Sequence, residues 1–220
     1  AGQGLKTTAY LLGKTIFRTD YHIFTTKDYM SRVRGGHNFI KIRFSDSEIK
    51  GPKDKLDLII ALNEETIENH LDNLKDEGIL LAEREVEDLN NSVVVNAKEI
   101  AKDINTKGVN SVFIGAFLKT IGFDLEEAEN VISEYFVEDK NKVKDNLLLL
   151  EKGYKNCERI EKIEMAKIDE GEERLYLNGN QAIGLGAATA GVSFYTAYPM
   201  SPSTGILNYL AKHQKRLSIA

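Results

Sequence analysis

The run of residues 178–204 constrains the fold most, because it combines a helix, a strand and a polar loop that leads into a second helix. Asn180 is expected to cap the first helix, residues 181–190 are small and apolar, and Gly191 is where such a helix ends. Residues 192–198 are rich in β-branched and aromatic side chains, which predicts a strand. A helix, a strand and a further helix in succession indicate an α/β layer.

The loop after this strand is the first candidate site. Pro199 and Pro202 end the strand, because proline cannot donate to a sheet ladder, and Ser203 or Thr204 is expected to cap the next helix. A loop at the carboxyl edge of a sheet has free backbone N–H groups and a helix dipole, which favour an anion. The loop therefore suits a carboxylate ligand. The alternative interpretation is that the segment has no binding role and is only a strand end followed by a turn.

Composition describes an ordinary soluble globular protein with room for two domains in its 220 residues. The net charge of -5 gives no reason to expect nucleic acid, and no apolar run approaches the length of a membrane span. Cys157 is the one cysteine, which excludes an internal disulfide and cannot supply the four thiolates that an iron–sulfur cluster ordinarily takes. We expect proteins and small molecules as partners, and neither nucleic acid nor a membrane.

The amino-terminal half alternates strands and helices, which predicts a doubly wound α/β sheet. Residues 55–62 are almost continuously apolar, as in a parallel strand buried on both faces. Asn63 is expected to cap a helix that ends at Gly78. Further strands are predicted at residues 21–25, 40–44, 79–82 and 93–95.

The next part of the chain is predicted to be helical, at residues 97–104, 109–121, 125–136 and 141–160. Gly122 ends the second of these helices, and Asp124 with Glu127 resembles a capping box for the third. Residues 161–174 are dense in charged side chains, which more often indicates a solvated linker than an interaction site. We place a domain boundary there, and we expect Cys157 to be a buried or half-buried thiol.

Two glycine-rich stretches are weak signals when considered alone. Gly2 and Gly4 open an amphipathic helix, but the third glycine of a dinucleotide fingerprint is replaced by Thr7. Residues 34–38 include a glycine pair that permits unusual backbone conformations. His37 in this segment has no second histidine or carboxylate at metal-ligand spacing, so no metal site is expected.

The segment Tyr198-Pro199-Met200-Ser201-Pro202-Ser203-Thr204 resembles the start of the pyrimidine-type domain of 2-oxoacid:ferredoxin oxidoreductase alpha subunits. That family carries Tyr-Pro-[Ile/Met]-Thr-Pro-Ser-[Ser/Thr], and this chain departs from it only at Ser201, which keeps the hydroxyl. The resemblance implies that Ser201 is the catalytic position and faces the 2-oxoacid near the thiamine cofactor. It implies a wider substrate-binding set of Tyr198, Pro199, Ser201, Ser203 and Thr204.

Two further signatures resemble the gamma domain of the same family. That domain opens with a Gly-Gly-Gln-Gly turn, clipped here to Gly2, Gln3 and Gly4, and later carries Arg-Gly-Gly-His followed by asparagine or serine. The second signature is intact at Arg34, Gly35, Gly36, His37 and Asn38. The resemblance implies only that these residues lie near a domain interface or cofactor. It also implies a Rossmann-like gamma-type domain at residues 1–160 with a helical carboxyl-terminal part, and a truncated pyrimidine-binding domain at residues 175–220.

The reaction implied by the resemblance is oxidative decarboxylation of a 2-oxoacid to an acyl-coenzyme A, with electrons passed to ferredoxin. Thiamine diphosphate with magnesium is expected mainly on a thiamine-binding beta subunit, the iron–sulfur cluster in a partner chain, and coenzyme A as co-substrate. The chain is expected to be a fragment of a cytoplasmic, multi-subunit enzyme, with the thiamine-activating glutamate beyond Ala220. Two alternatives stay open: a nonenzymatic Rossmann-type nucleotide-binding or subunit-bridging domain, and a relative that acts on aryl pyruvates.

Overall fold

The computed structural model describes residues 4–28, 36–87, 89, 91–158 and 174–217. The chain divides into two compact units, Ala1–Glu170 and Gly171–Ala220, and each is described by itself. The predicted linker at residues 161–174 falls almost wholly outside the described residues, so its position stays a prediction. No helix in the described ranges is long and apolar enough to cross a membrane.

The first unit opens with a helix packed on a β-hairpin: α1 (Leu5–Arg18), β1 (His22–Asp28) and β2 (Phe39–Ser45). Leu12 and Ile16 on α1 are buried, as their helical spacing predicts. The two strands pair antiparallel, with His22 opposite Ser45. Alternation along β2 directs Ile42 against the core, which confirms the predicted half-buried strand.

A three-stranded parallel sheet follows, in the order β3-β4-β5. Its elements are β3 (Leu56–Ile60), α2 (Glu64–His70), a 3-10 turn (Leu71–Asn73), β4 (Leu74–Ala82) and β5 (Ser92–Val94). The Asn63 side chain caps α2 by accepting a 3.0 Å hydrogen bond from the backbone N–H of Thr66, as predicted.

Apolar side chains cover both faces of this sheet. Ile79 and Leu81 of β4 point into the larger core, together with residues of the surrounding helices. Leu80 and Ala82, which alternate with them, pack into a smaller core with Ile67 of α2. Burial on both faces explains the nearly continuous apolar strands and confirms the predicted α/β class.

Gly78 does not end α2, and this prediction is wrong. The helix stops at His70, and Gly78 lies inside β4. A Cβ on Gly78 would lie only 2.5 Å from Cδ1 of Leu74, a buried side chain of the same strand. A side chain at position 78 would therefore displace Leu74, which favours glycine here. Leu74, which the prediction places in the helix, is the first residue of β4.

Four helices complete the first unit: α3 (Ala97–Lys102), α4 (Val109–Ile121), α5 (Glu126–Tyr135) and α6 (Lys140–Lys155). Helix α4 is buried along most of its length and packs against α6. A Cβ on Gly115 would overlap the Leu150 carbonyl, and a Cβ on Gly153 would overlap the Val112 carbonyl. The two glycines therefore let the helix backbones approach closely.

The ends of these helices test the predicted caps. Gly122 terminates α4 with a left-handed φ of 77°, as predicted. The prediction of a capping box at Asp124 and Glu127 is wrong. Leu125 occupies the N-cap of α5 and makes no side-chain cap hydrogen bond. Asp124 thus lies one residue too early to reach the third helical N–H.

The second unit contains α7 (Gly179–Thr189) and α8 (Thr204–Leu217), which pack against each other. Gly191 follows α7 with a φ of 88°, which confirms the predicted helix end. The predicted strand at residues 192–198 is wrong, since these described residues form no strand and Phe194 is 69% exposed. A strand needs a hydrogen-bonded neighbour, and both described sheets belong to the first unit.

Candidate functional site

The first candidate site is the loop of residues 198–204, which leads into α8 and is called the site loop. The carbonyl oxygen of Met200 accepts a 2.8 Å hydrogen bond from the backbone N–H of Thr204 and a 2.9 Å bond from the Ser203 hydroxyl. The Ser201–Pro202 peptide bond is cis. These contacts fold the loop back onto the start of the helix and fix the backbone on either side of Ser201.

Asn180 does not cap α7, contrary to the prediction. The cap is Asn178, whose side chain accepts a 3.0 Å hydrogen bond from the N–H of Gln181, while the Gln181 side chain accepts a 2.9 Å bond from the N–H of Asn178. Asn180 lies inside the first turn, and its side-chain amide donates a 2.8 Å bond to the Pro202 carbonyl.

This contact between Asn180 and the site loop was missed by sequence reasoning, because the two groups are 22 residues apart. A Cβ on Gly205 would collide with the Asn180 amide, so the small residue at the start of α8 makes room for it. The first turn of α7 therefore anchors the site loop through one side chain.

The predicted substrate-binding residues lie together on the surface of the second unit. Tyr198 is 81% exposed, Pro199, Ser201 and Ser203 are exposed, and Thr204 is half-buried. No group in the described parts of the chain hydrogen-bonds the Ser201 hydroxyl, which leaves it available to a ligand.

The donor set of the site loop determines which ligands it suits. It offers the hydroxyls of Ser201 and Thr204 beside the amino-terminal end of a 14-residue helix, and it contains no carboxylate. Hydroxyl donors and a helix N-terminus stabilise a negative charge, whereas magnesium is usually held by carboxylates. The arrangement can bind a carboxylate group and lacks the ligands for a metal ion.

The second candidate site lies in the first unit, in the wall of a cavity of about 880 Å³. Gly4, Gly36, His37 and Asn38 all line this cavity, so two segments that are distant in sequence come together. Gly4 and Gly36 have φ values of 71° and 90°, which glycine adopts without strain. The remaining predicted residues of this set, Gly2, Gln3, Arg34 and Gly35, lie outside the described residues.

His37 is buried and contacts a second histidine that sequence spacing did not reveal. Its Nε2 atom lies 2.8 Å from Nε2 of His70, the last residue of α2, and its ring stacks on Phe39. The Nδ1 atom of His37 lies 3.9 Å from Oε2 of Glu65, which is within ion-pair range and too long for a hydrogen bond.

The environment of His70 disfavours its charged form. Burial, then the neighbouring His37 and Lys41, hold the pKa of His70 below its ordinary value, and Asp28 opposes them.

Within the described residues, no group of three or more histidine, cysteine or acidic side chains is placed to hold a metal ion.

Cys157 lies in the core of the first unit with 7% of its surface exposed, as predicted. Burial raises the pKa of its thiol to about 11. A thiol of this kind is protonated at neutral pH and is a poor nucleophile or metal ligand.

Comparison with known proteins identifies similar subunits. The 2-oxoacid:ferredoxin oxidoreductase subunit alpha of Sulfolobus sp is 24% identical over 261 aligned residues, covering 97% of this chain and 41% of the relative. Subunit alpha of 2-oxoacid:ferredoxin oxidoreductase 1 from Sulfurisphaera tokodaii has the same identity and coverage. The chain thus spans about two fifths of the length of these curated relatives.

Solved structures agree on the fold. The 2-oxoglutarate:ferredoxin oxidoreductase from Magnetococcus marinus, with 2-oxoglutarate, coenzyme A and succinyl-CoA bound, matches with a TM-score of 0.87 and 21% identity over 100% of this chain and 41% of that chain. Pyruvate oxidoreductase subunit PORC from Thermotoga maritima matches 71% of this chain and 91% of its own, with a TM-score of 0.57 and 22% identity.

The family assignment rests on the greater part of the sequence. Residues 1–156 match the family described as pyruvate ferredoxin/flavodoxin oxidoreductase, and the match includes both glycine-containing signatures and the buried α4–α6 pair. This chain therefore belongs to the pyruvate ferredoxin/flavodoxin oxidoreductase family.

Proposed function

We propose that this chain is part of the alpha subunit of a thiamine-diphosphate-dependent 2-oxoacid:ferredoxin oxidoreductase, which converts a 2-oxoacid and coenzyme A to an acyl-coenzyme A and carbon dioxide. Two electrons pass to ferredoxin for each 2-oxoacid. The observation that carries this proposal is the site loop, where the motif of this family is folded against α8 with the Ser201 hydroxyl exposed. The family membership and the names of the relatives support it.

Ser201 is the residue of this chain that contacts the substrate in the proposed reaction. Its hydroxyl donates a hydrogen bond to the 2-oxoacid carboxylate, and the adjoining start of α8 stabilises the same negative charge. Tyr198, Pro199, Ser203 and Thr204 complete the proposed substrate-binding set, and Ser203 also holds the loop through its bond to the Met200 carbonyl. Asn180 is a positioning residue, since it acts on the substrate through the Pro202 carbonyl.

The cofactors are assigned mainly to partner chains. When bound, thiamine diphosphate supplies the electron sink for decarboxylation. The site loop has no carboxylate for the magnesium ion, which supports placing the diphosphate and its metal on a beta subunit. The buried thiol of Cys157 is a poor cluster ligand, and we assign the iron–sulfur cluster to a partner chain from which ferredoxin takes its electrons.

The domain organisation and location are part of the same proposal. Residues 1–160 form the gamma-type domain, residues 161–174 a linker, and residues 175–220 the start of the pyrimidine-binding domain. Two compact units support this division, as does a TM-score of 0.59 against the gamma subunit of a keto/oxoacid ferredoxin oxidoreductase from Geobacter sulfurreducens. We place the enzyme in the cytoplasm, together with its coenzyme A and ferredoxin.

The alternatives are less well supported. A nonenzymatic nucleotide-binding or subunit-bridging domain would use the glycines near the amino terminus, yet it accounts for neither the site loop nor the named relatives. An enzyme that acts on aryl pyruvates would have the same site loop. This alternative therefore differs from the proposal only in which 2-oxoacid is the substrate.

The proposal is tested on the complete enzyme purified from its source with all subunits. Ferredoxin reduction is measured with pyruvate, 2-oxoglutarate, a branched-chain 2-oxoacid and an aryl pyruvate, each with and without coenzyme A. We expect coenzyme A-dependent reduction with at least one of them. A complex that contains thiamine diphosphate and clusters but reduces ferredoxin with none of these acids would contradict the proposal.

A further inference from the structure

The contact between buried His37 and half-buried His70 joins two parts of the first unit that are distant in sequence. Residues 36–38 precede β2, whereas His70 is the last residue of α2, and the two histidines are 33 positions apart in the sequence. Phe39 packs against both rings, with centroid distances of 5.8 Å to His37 and 4.5 Å to His70. The pair is therefore held in place by an aromatic side chain as well as by its own hydrogen bond.

Proton counting limits the charge states in which this contact exists. The two rings have four nitrogen atoms and meet through their Nε2 atoms, so one Nε2 must carry a proton and the other must not. A neutral pair and a pair with one positive charge both satisfy this requirement. A doubly protonated pair does not, because both facing nitrogen atoms then carry protons and both rings are cations at 2.8 Å.

We propose that the His37–His70 hydrogen bond is a proton-sensitive latch that fastens residues 36–38 to the end of α2 and opens when both imidazoles are protonated. Both histidines lie in the wall of the 880 Å³ cavity, so opening the latch changes the shape and charge of that wall. The latch does not depend on the proposed enzymatic function.

The charged groups around the pair favour a single positive charge over two. Glu65 on α2 faces His37, while Lys41 on β2 and Asp28 on β1 act on His70. The other charged residues of the cavity wall are four cations, Lys6, Arg43, Lys53 and Lys55, and one anion, Asp57. The carboxylate of Glu65 can balance a positive charge on His37, and Lys41 opposes a positive charge on His70.

The direction of the pH dependence follows from the lowered pKa of His70. The folded chain binds this proton less readily than the unfolded chain, so the stability that uncharged His70 contributes is complete above the ordinary histidine pKa of about 6.5. It is lost as the pH falls from there through the lower pKa of the folded state.

The first test is an NMR titration of the imidazole resonances of the 220-residue chain. We expect the amide resonances of Gly36 and Asn38 to shift together with the His70 resonances as the pH falls, because opening the latch changes the surroundings of residues 36–38. The amide resonance of His22, on β1 in the same unit, is the internal control and should not follow this change. Amide resonances of Gly36 and Asn38 that stay unchanged while His70 titrates would overturn the proposal.

The second test compares variants by urea unfolding between pH 8 and pH 5. His70→Gln keeps a polar group that cannot become a cation, so the loss of stability on acidification should be smaller than in the wild type. His22→Gln, the matched control, should keep the wild-type pH dependence. The proposal fails if His70→Gln loses stability with pH as steeply as the wild type, or if the control flattens the dependence equally.

Discussion

The side-chain amide of Asn180, in the first turn of α7, donates a 2.8 Å hydrogen bond to the carbonyl oxygen of Pro202 in the site loop. This bond ties the first turn of α7 to the site loop next to Ser201. Because Asn178 provides the cap of α7, the side chain of Asn180 is not needed for capping and can bond the site loop.

We predict that Asn180→Ala lowers the specificity constant of the complete enzyme for its 2-oxoacid about fivefold. A hydrogen bond between neutral groups contributes about 1 kcal/mol, and its loss lets the site loop sample positions in which Ser201 misses the carboxylate. Asn208→Ala removes an exposed asparagine from α8 and serves as the control, with no expected change. Equal specificity constants for both variants would show that the bond does not position the loop.

The contact between α4 and α6 gives a stability prediction. Gly115→Ala should lower the free energy of unfolding by about 1–3 kcal/mol, because the added methyl group would overlap the Leu150 carbonyl in a packed helix pair. Gly51→Ala is the control from the same unit, since a Cβ at Gly51 meets no atom within 4 Å. Urea unfolding of both variants measures the difference in their free energies of unfolding. A Gly115→Ala chain as stable as wild type would mean that α4 and α6 can move apart without a loss of stability.

The chemistry of Cys157 gives a third prediction. With its pKa raised to about 11, the thiolate fraction at pH 8 is about a hundredfold lower than for a thiol with a pKa of 9.0. Iodoacetamide should therefore modify the folded chain at least about a hundredfold more slowly than the chain in urea. Cys157 is the one cysteine, so the reaction has a single site. Equal rates in the folded and unfolded chain would contradict the burial of this thiol.

Local patterns in the sequence predicted most of the elements correctly. Gly122 at the end of α4, Asn63 at the start of α2 and the parallel strand β3 each follow from nearby residues alone. These features depend on backbone conformation or on a run of apolar residues, which a short segment determines by itself.

The errors arise where distant residues decide the outcome. Residues 192–198 have the composition of a strand, but a strand forms only beside a partner, and none is present in the described part of the second unit. The pairing of His37 with His70 and of Asn180 with Pro202 joins groups that no spacing rule connects. In the candidate site, the residue types were predictable from the motif, whereas the contacts that hold them were not.

The proposed substrate contact gives the last prediction, which concerns Ser201. A hydrogen bond to a charged carboxylate contributes about 1.5–3 kcal/mol, so Ser201→Ala should lower the specificity constant for the 2-oxoacid by about one to two powers of ten. Ser201→Thr keeps the hydroxyl, adds one methyl group at an exposed position and should stay within about threefold of wild type.

Two controls separate substrate binding from folding in this experiment. Ser193→Ala removes an exposed hydroxyl elsewhere in the second unit and should leave the specificity constant unchanged. Thermal melts of every variant confirm equal folding before the kinetics are compared. Because no described group bonds the Ser201 hydroxyl, its removal breaks no internal contact, and a loss of activity without a loss of stability therefore reports on the ligand. If Ser201→Ala retains the wild-type specificity constant, the hydroxyl does not contact the substrate and the site loop serves only to lead the chain into α8.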